Sequence, residues 1–123
     1  LDGHKMLFTG DAGKTALHNA SDYAETSGIA LTDLHFLDVP HHGSKRNLSS
    51  SLLKRIKAQV AYVSVPKEST KHPAKKVTNA LKKIGASVYT TKGKTIRYSS
   101  ADAPARAGWS AIQEEPFHEY VEE

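Results

Sequence analysis

Three polar clusters, each following a run of apolar residues, carry most of the chemistry that this sequence offers. The clusters are residues 9–11 (Thr-Gly-Asp), residues 41–44 (His-His-Gly-Ser) and the pair His72-Pro73. An aspartate carboxylate can bridge two metal ions, and neutral imidazoles suit zinc. A site with two metal ions can stabilise both the attacking and the leaving oxygen of a phosphoester. If the three clusters meet, they therefore indicate metal-dependent hydrolysis.

Each cluster also has an ordinary structural explanation. A Gly-Asp pair after a strand is often a helix cap, a His-His pair in a loop is often solvated surface, and a histidine before a proline can simply lie in a turn. Their order, with each at the end of an apolar run, favours the chemical interpretation. The other four histidines lack this placement: His4, His18, His35 and His118.

The elements that must position these clusters follow from the pattern of apolar residues. We predict strands over residues 5–9, 34–39, 60–65, 87–91 and 95–98, and helices over 14–27, from Ser49 or Ser50, and from Pro73 to Gly85. Strands that alternate with helices indicate an α/β architecture with a sheet that is at least partly parallel. Ligands of such sheets gather at the carboxyl ends of the strands. We therefore expect the three clusters to converge at one edge.

The composition of the predicted strands also indicates how the sheet is covered. They are apolar with little alternation, which is typical of strands buried on both faces. Three helices on one side cover only one face. We therefore expect a missing half that covers the other.

Length and composition exclude several classes of protein. The chain has 123 residues, about one domain, and contains no cysteine, which excludes a disulfide framework, a Cys-based zinc finger and a thiol nucleophile. No run of about 18 apolar residues is present, so we predict no membrane-spanning segment. The absence of cysteine is compatible with the cytoplasm. The first residues are no signal peptide and include no initiator Met, so we expect a piece of a longer protein.

The net charge of +4 hides three blocks of opposite sign. Residues 1–40 carry a net −4, residues 41–98 carry fourteen basic residues and one acidic residue for a net +13, and residues 99–123 carry a net −5. The strong positive charge of residues 41–98 is expected to attract polyanions such as nucleic acid or phosphorylated substrates. It can equally be a solvated face that pairs with the acidic blocks, and the acidic tail can itself fold onto it.

One motif imitates a phosphate-binding loop. Residues 10–15 (Gly-Asp-Ala-Gly-Lys-Thr) lie between a predicted strand and a predicted helix and end in Gly-Lys-Thr. A P-loop needs a glycine five positions before the second one, so that backbone N–H groups wrap the phosphates. Phe8 occupies that position, and the carboxylate of Asp11 repels phosphate. Nucleotide binding is therefore the weakest of the functions considered.

Taken together, the clusters resemble a known family. Four segments are similar to the C-terminal half of metallo-β-lactamase-fold hydrolases. They are residues 7–11 (Leu-Phe-Thr-Gly-Asp), residues 37–44 (Leu-Asp-Val-Pro-His-His-Gly-Ser), residues 63–65 (Val-Ser-Val) and the later His72-Pro73. The similarity is closest to the branch of the ComEC DNA-uptake competence proteins and covers residues 5 to about 98. It implies half of an αββα sandwich over residues 1–98, followed by an acidic tail over residues 99–123.

The resemblance also implies roles for particular residues. Asp11 would bridge two metal ions, zinc or alternatively manganese or iron, and His72 would be the second-site ligand. His41 and His42 would act as catalytic residues that contact the substrate phosphate or donate a proton. The ligand and catalytic roles of His41 and His72 can also be reversed.

Two cations extend this set. Lys45 and Arg46 directly follow the His-His-Gly-Ser cluster and are candidates for contacts to the substrate phosphate. Ordinary solvated surface is the alternative for both.

The main departure from the family is an absent motif. The family's His-x-His-x-Asp-His sequence does not occur in this chain, nor does the ligand that follows it. Because a catalytic zinc ion usually has three protein ligands, we expect this chain alone to bind metal weakly and to be inactive. The enzyme, a nuclease-like hydrolase of a phosphodiester, would need the N-terminal half from the parent chain or from a second chain. The alternative function is a non-catalytic basic module that binds nucleic acid or a protein partner.

Overall fold

Four short parallel strands form the centre of the fold in a computed structural model that describes residues 3–99 and 101–123. They are β1 (Met6–Leu7), β2 (Leu34–Asp38), β3 (Ala58–Val63) and β4 (Ser87–Thr90). Their order in the sheet is β1-β2-β3-β4, and each neighbouring pair is parallel. The predicted α/β architecture with a parallel sheet is confirmed.

Three helices pack on one face of this sheet. They are α1 (Lys14–Thr26), α2 (Ser50–Arg55) and α3 (Lys75–Lys83), and they follow β1, β2 and β3 in turn. The Ser49 hydroxyl caps α2 by accepting the backbone N–H of Leu52. One apolar core joins buried helix residues to the same side of the sheet: Leu17, Leu52, Val77 and Leu81 with Leu37, Ala61, Val63 and Val88.

The other face of the sheet is aromatic. The Phe36 ring lies 5.0 Å from the Tyr62 ring, and the Tyr62 ring lies 5.7 Å from that of Tyr89, as centroid distances. Tyr98 crosses this face and packs 5.1 Å from Phe36. Residues of this chain cover this face only in part, because Tyr62, Tyr89 and Tyr98 stay half-buried. The expected missing half over this face stays a prediction.

The prediction of a fifth strand over residues 95–98 is wrong. These residues are described by the structure and form no strand. Their backbone crosses the aromatic face, where the Arg97 carbonyl accepts the Tyr62 hydroxyl at 3.0 Å. At β4, the Val88 carbonyl accepts the backbone N–H of Glu115 at 2.7 Å, so the tail makes a backbone hydrogen bond with this edge strand.

The acidic tail packs against the basic helix α3. The Lys82 ammonium pairs with the Glu114 carboxylate. Asn79 exchanges two hydrogen bonds with the backbone of His118, at 2.7 and 2.8 Å. Part of the basic block is thus paired with acidic residues, and the predicted contact of the tail with the basic face is present.

Within the described residues, none of the helices has the length and apolar character needed to cross a membrane.

Candidate functional site

The loops after β1, β2 and β3 meet at the carboxyl edge of the sheet. The first two are joined by a hydrogen bond of 2.8 Å from the His41 N–H to the Gly10 carbonyl. The ring centroids of His41 and His42 lie 5.9 Å apart, and that of His72 lies 6.1 Å from His41 and 6.4 Å from His42. The structure therefore brings together three histidines that are separated by up to 31 positions in the sequence.

The turn over Pro40–Gly43 holds its two histidines in an unusual backbone conformation. His41 has φ 48° and His42 has φ 56°, both in the left-handed region. This region costs a residue with a side chain roughly 1–2 kcal/mol. Strain of this kind persists where the surroundings fix it and clusters at functional sites. The turn therefore holds both histidines at the carboxyl edge of the sheet in a strained backbone conformation.

Hydrogen bonds fix the tautomers of both imidazoles. The His42 Nδ1 lies 2.6 Å from the Ser64 carbonyl, which can only accept, so Nδ1 carries the hydrogen. The His41 Nδ1 lies 3.0 Å from the Asn47 Oδ1, and the Asn47 amide N–H donates to the Ala12 carbonyl at 3.0 Å. Because the Ala12 carbonyl orients the amide, its oxygen faces His41. In the neutral state both imidazoles therefore keep the Nε2 lone pair for a ligand or a proton.

The loop that carries Asp11 is positioned by Asp38 at the end of β2. The Asp38 carboxylate accepts long hydrogen bonds of 3.4 Å from the N–H groups of Thr9 and Gly10. The Thr9 hydroxyl donates to the Asp38 carbonyl at 2.5 Å. Asp11 itself is exposed. Asp38 thus acts as a positioning residue for the loop.

His72 differs from the other two histidines in its surroundings. Its Nδ1 is buried and has no hydrogen-bond partner among the described residues. Burial lowers the pKa of His72 below its usual 6.5, and the charges of His41, His42 and Lys71 lower it further. At neutral pH His72 is therefore an uncharged imidazole, which is the form that binds metal ions.

This lowered pKa predicts how stability varies with pH in the metal-free protein. The unfolded chain takes up a proton at His72 near pH 6.5, whereas the folded chain takes it up only at lower pH. The free energy of unfolding should therefore fall as the pH drops through 6.5 towards the folded pKa, and His72 should contribute no further loss below it. Urea unfolding across a pH series checks this, with an NMR titration of the His72 ring.

The matched variants for this titration are His72→Gln and His118→Gln. The first should reduce the pH dependence of stability, and the second should leave the His72 midpoint unchanged. A His72 midpoint at or above 6.5 would contradict the prediction.

A cavity of about 490 Å³ adjoins the histidines. Its lining includes the two predicted phosphate-contacting residues, Lys45 and Arg46, together with His41, His72 and Lys71. The structure thus places the predicted cations beside two of the three imidazoles. Both cations are exposed, so a ligand in the cavity is accessible to them.

The predicted metal ligands do not form a complete metal site. Among residues 3–99 and 101–123, no group of three or more His, Asp or Glu side chains is arranged to hold a metal ion. The donor chemistry suits zinc, since His72 is neutral with a free buried Nδ1, but the donor number does not. Further ligands would have to come from outside the described residues.

Two residues of the site carried no signal in the sequence. Asn47 is 7% exposed and bridges His41 to the loop after β1, yet it belongs to no motif. Glu123 lines the cavity although it lies at the far end of the acidic tail. Only the folding of distant segments onto the site shows their roles.

Comparison with known proteins yields no relative. No protein-family model, curated protein or solved structure matches this chain significantly.

Proposed function

We propose that this chain is the C-terminal half of a metallo-β-lactamase-fold hydrolase, similar to the ComEC branch, that acts on a phosphodiester. The convergence of the His41, His42 and His72 rings at the carboxyl edge of a parallel sheet carries this proposal. The cations that line the adjoining cavity supply the charge that a phosphodiester requires. The choice of this family rests on the resemblance of residues 7–11, 37–44 and 63–65, with His72-Pro73, to its members.

In this proposal the histidine pair handles the phosphate and the proton. His41 and His42 each have their Nδ1 held by an acceptor, so Nε2 is the atom that faces the substrate. When protonated at Nε2, either ring can donate a hydrogen bond to a phosphate oxygen. It can also give its proton to the leaving oxygen as the bond between that oxygen and phosphorus breaks.

Asp11 and His72 are proposed as metal ligands. The described residues do not complete a metal site, so this chain supplies only part of the ligand set. The rest belongs to the N-terminal half, carried by the parent chain or a second chain. Lys45 and Arg46 are proposed to contact the phosphate.

Zinc titration of the isolated chain tests the proposed ligands. We expect weak binding that shifts the ring signals of His72 in NMR spectra. Asp11→Ala should weaken it by about tenfold or more, since even outer-shell partners of a metal contribute that much. Asp102→Ala, at an exposed aspartate of the tail, is the matched control and should bind as the wild type does.

Two results of the zinc titration would overturn the metal assignment. One is histidine signals that do not move with zinc. The other is an Asp11→Ala variant that binds zinc as tightly as the wild type.

The second candidate function is a non-catalytic basic module that binds nucleic acid. The observation that favours it is the incomplete donor set beside exposed cations. It predicts oligonucleotide binding that weakens steeply with salt, because cations release the counterions of the phosphates. It also predicts that this binding is unaffected by a metal chelator. Fluorescence anisotropy over a salt series, with and without EDTA, separates it from the hydrolase.

A further inference from the structure

A second cavity lies on the aromatic face of the sheet, beside β3 and β4. It has a volume of about 1410 Å³, and among the described residues it shares no lining residue with the cavity beside the histidines. The sheet contributes Tyr62 and Tyr89 to its lining, residues 95–98 contribute Tyr98, and the tail contributes Trp109. A typical small-molecule pocket has roughly 300–1,000 Å³, so this cavity has room for part of a polymer.

The aromatic side chains of this cavity keep part of their surface accessible. Tyr62, Tyr89 and Tyr98 are half-buried, and Trp109 is 42% exposed. The tyrosines pack edge to face, with the Tyr62 ring at 74° to that of Tyr89 and at 86° to that of Tyr98. Trp109 packs on no other aromatic ring among the described residues. An indole that lines a cavity and is partly exposed is available for stacking with a nucleobase.

Three cations line the same cavity: Lys92, Lys94 and Arg97. Both lysines belong to the turn after β4 and are exposed. The Thr91 hydroxyl anchors this turn, since it donates to the Val65 carbonyl and accepts the Val65 N–H, both at 2.9 Å. Among the described residues, none of the three cations takes part in a salt bridge. They are therefore available to an anionic ligand.

The two carboxylates in the lining are engaged by other residues. Glu114 pairs with the Lys82 ammonium. Glu115 accepts the Thr90 hydroxyl at 2.8 Å. Positive charge is thus in excess within this cavity, and it attracts an anion rather than repelling one.

The missing half that is expected over this face is the competing occupant. Protein interfaces are depleted of lysine at their core, and an unpaired charge that is buried there is costly. Three cations without a salt bridge therefore favour a polyanion over a protein surface. Within the described part of the chain, the lining includes no residue of β1 or β2, so the rest of the face, with the exposed Phe8, stays open to a protein.

We propose that this cavity binds single-stranded nucleic acid, with its aromatic rings stacking on bases and its three cations contacting phosphates. Combined rings and cations are the means by which proteins bind single strands without sequence preference. The bases of a duplex are stacked on one another and do not offer their faces to side chains, so the ligand is a single strand. The inference goes beyond the proposed function and needs neither its metal ions nor its histidines.

Titration with oligothymidylate in EDTA-containing buffer tests this site without metal. Trp109 is the only tryptophan of the chain, so a base that stacks on it should quench the intrinsic fluorescence. Trp109→Ala should weaken the binding of a labelled strand, measured by anisotropy, by about tenfold or more, whereas Trp109→Phe keeps a ring and should recover most of the affinity. Tyr120→Ala, at an exposed aromatic residue of the tail outside the cavity, is the matched control and should bind as the wild type does.

A salt series and a duplex probe complete the test. Combining Lys92→Gln with Lys94→Gln should weaken binding and reduce the slope of log affinity against log salt by about 1.4, since each phosphate of a single strand contributes about 0.7. Lys14→Gln with Lys54→Gln removes the same charge at exposed positions outside the cavity and should leave the slope unchanged. The duplex of oligothymidylate with oligodeoxyadenylate should bind more weakly than the single strand.

Three results would overturn the proposal. One is Trp109 fluorescence that oligothymidylate leaves unchanged, which would favour a protein as the occupant of the cavity. Another is a Trp109→Ala variant that binds the strand as tightly as the wild type, which would assign the binding to cations elsewhere. The third is a duplex that binds as tightly as the single strand. Because metal is absent, failure here leaves the zinc titration unaffected, and failure of the zinc titration leaves this site unaffected.

Discussion

Replacing Gly43 with alanine should lower the free energy of unfolding by about 2–4 kcal/mol, from added backbone strain and overpacking. Gly43 has φ +75°, and an added Cβ would lie 2.8 Å from the Pro73 Cβ and 3.1 Å from the Val63 Cγ1. The proline ring is rigid, and Val63 is fully buried, so neither neighbour can give way easily. Urea or thermal unfolding measures the loss.

The matched control separates these two costs. Gly85→Ala has a similar left-handed φ, +96°, but nothing lies within 4 Å of an added Cβ. It should therefore lose only the backbone cost of roughly 1–2 kcal/mol. Equal losses for the two variants would contradict overpacking between Gly43 and Pro73.

The Gly43 variant should also disturb the site. The Gly43 carbonyl accepts the Ala74 N–H at 3.0 Å, so this turn fixes the segment that carries His72. Moving Pro73 away from the turn displaces His72 from the histidine pair. Changed ring signals of His72 in folded Gly43→Ala, and unchanged ones in Gly85→Ala, are the expected result.

Replacing Asn47 with alanine should cost about 1–3 kcal/mol and release His41 from its fixed tautomer. The Asn47 side chain is buried, and its loss removes two hydrogen bonds, one to the Ala12 carbonyl and one to the His41 Nδ1. Without the amide oxygen, nothing in this contact favours hydrogen on Nδ1 over Nε2. Urea unfolding measures the first effect, and long-range ¹H–¹⁵N NMR of the neutral ring measures the second.

Asn79→Ala is the matched control for this variant. Asn79 also makes two hydrogen bonds, but both join α3 to the tail at His118, away from the histidine pair. It should lose stability while the His41 tautomer stays unchanged. A His41 tautomer that is equally unaffected in Asn47→Ala would contradict the positioning role of Asn47.

The sequence by itself determined the order and kind of the main elements. Unbroken apolar runs bounded by Pro40 and Pro66, and helical spacing such as that of Val77 and Leu81, are local signals, so they can be read without the fold. Helix and strand alternation then restricts the sheet to a parallel one, because each connection carries a helix. From this the sequence also places residues 9–11, 41–44 and 72 at one edge.

Other features depended on contacts between distant segments. Residues 95–98 alternate like a strand, yet Tyr98 packs across the aromatic face instead, because ring packing on Phe36 and Tyr62 replaces pairing with β4. Asn47 and Glu123 belong to no motif, and their partners lie 35 and 47 positions away. Hydrogen bonds to backbone groups leave no mark on the sequence of the segment that donates or accepts them. For that reason only the tertiary structure decided which side chains surround the three histidines.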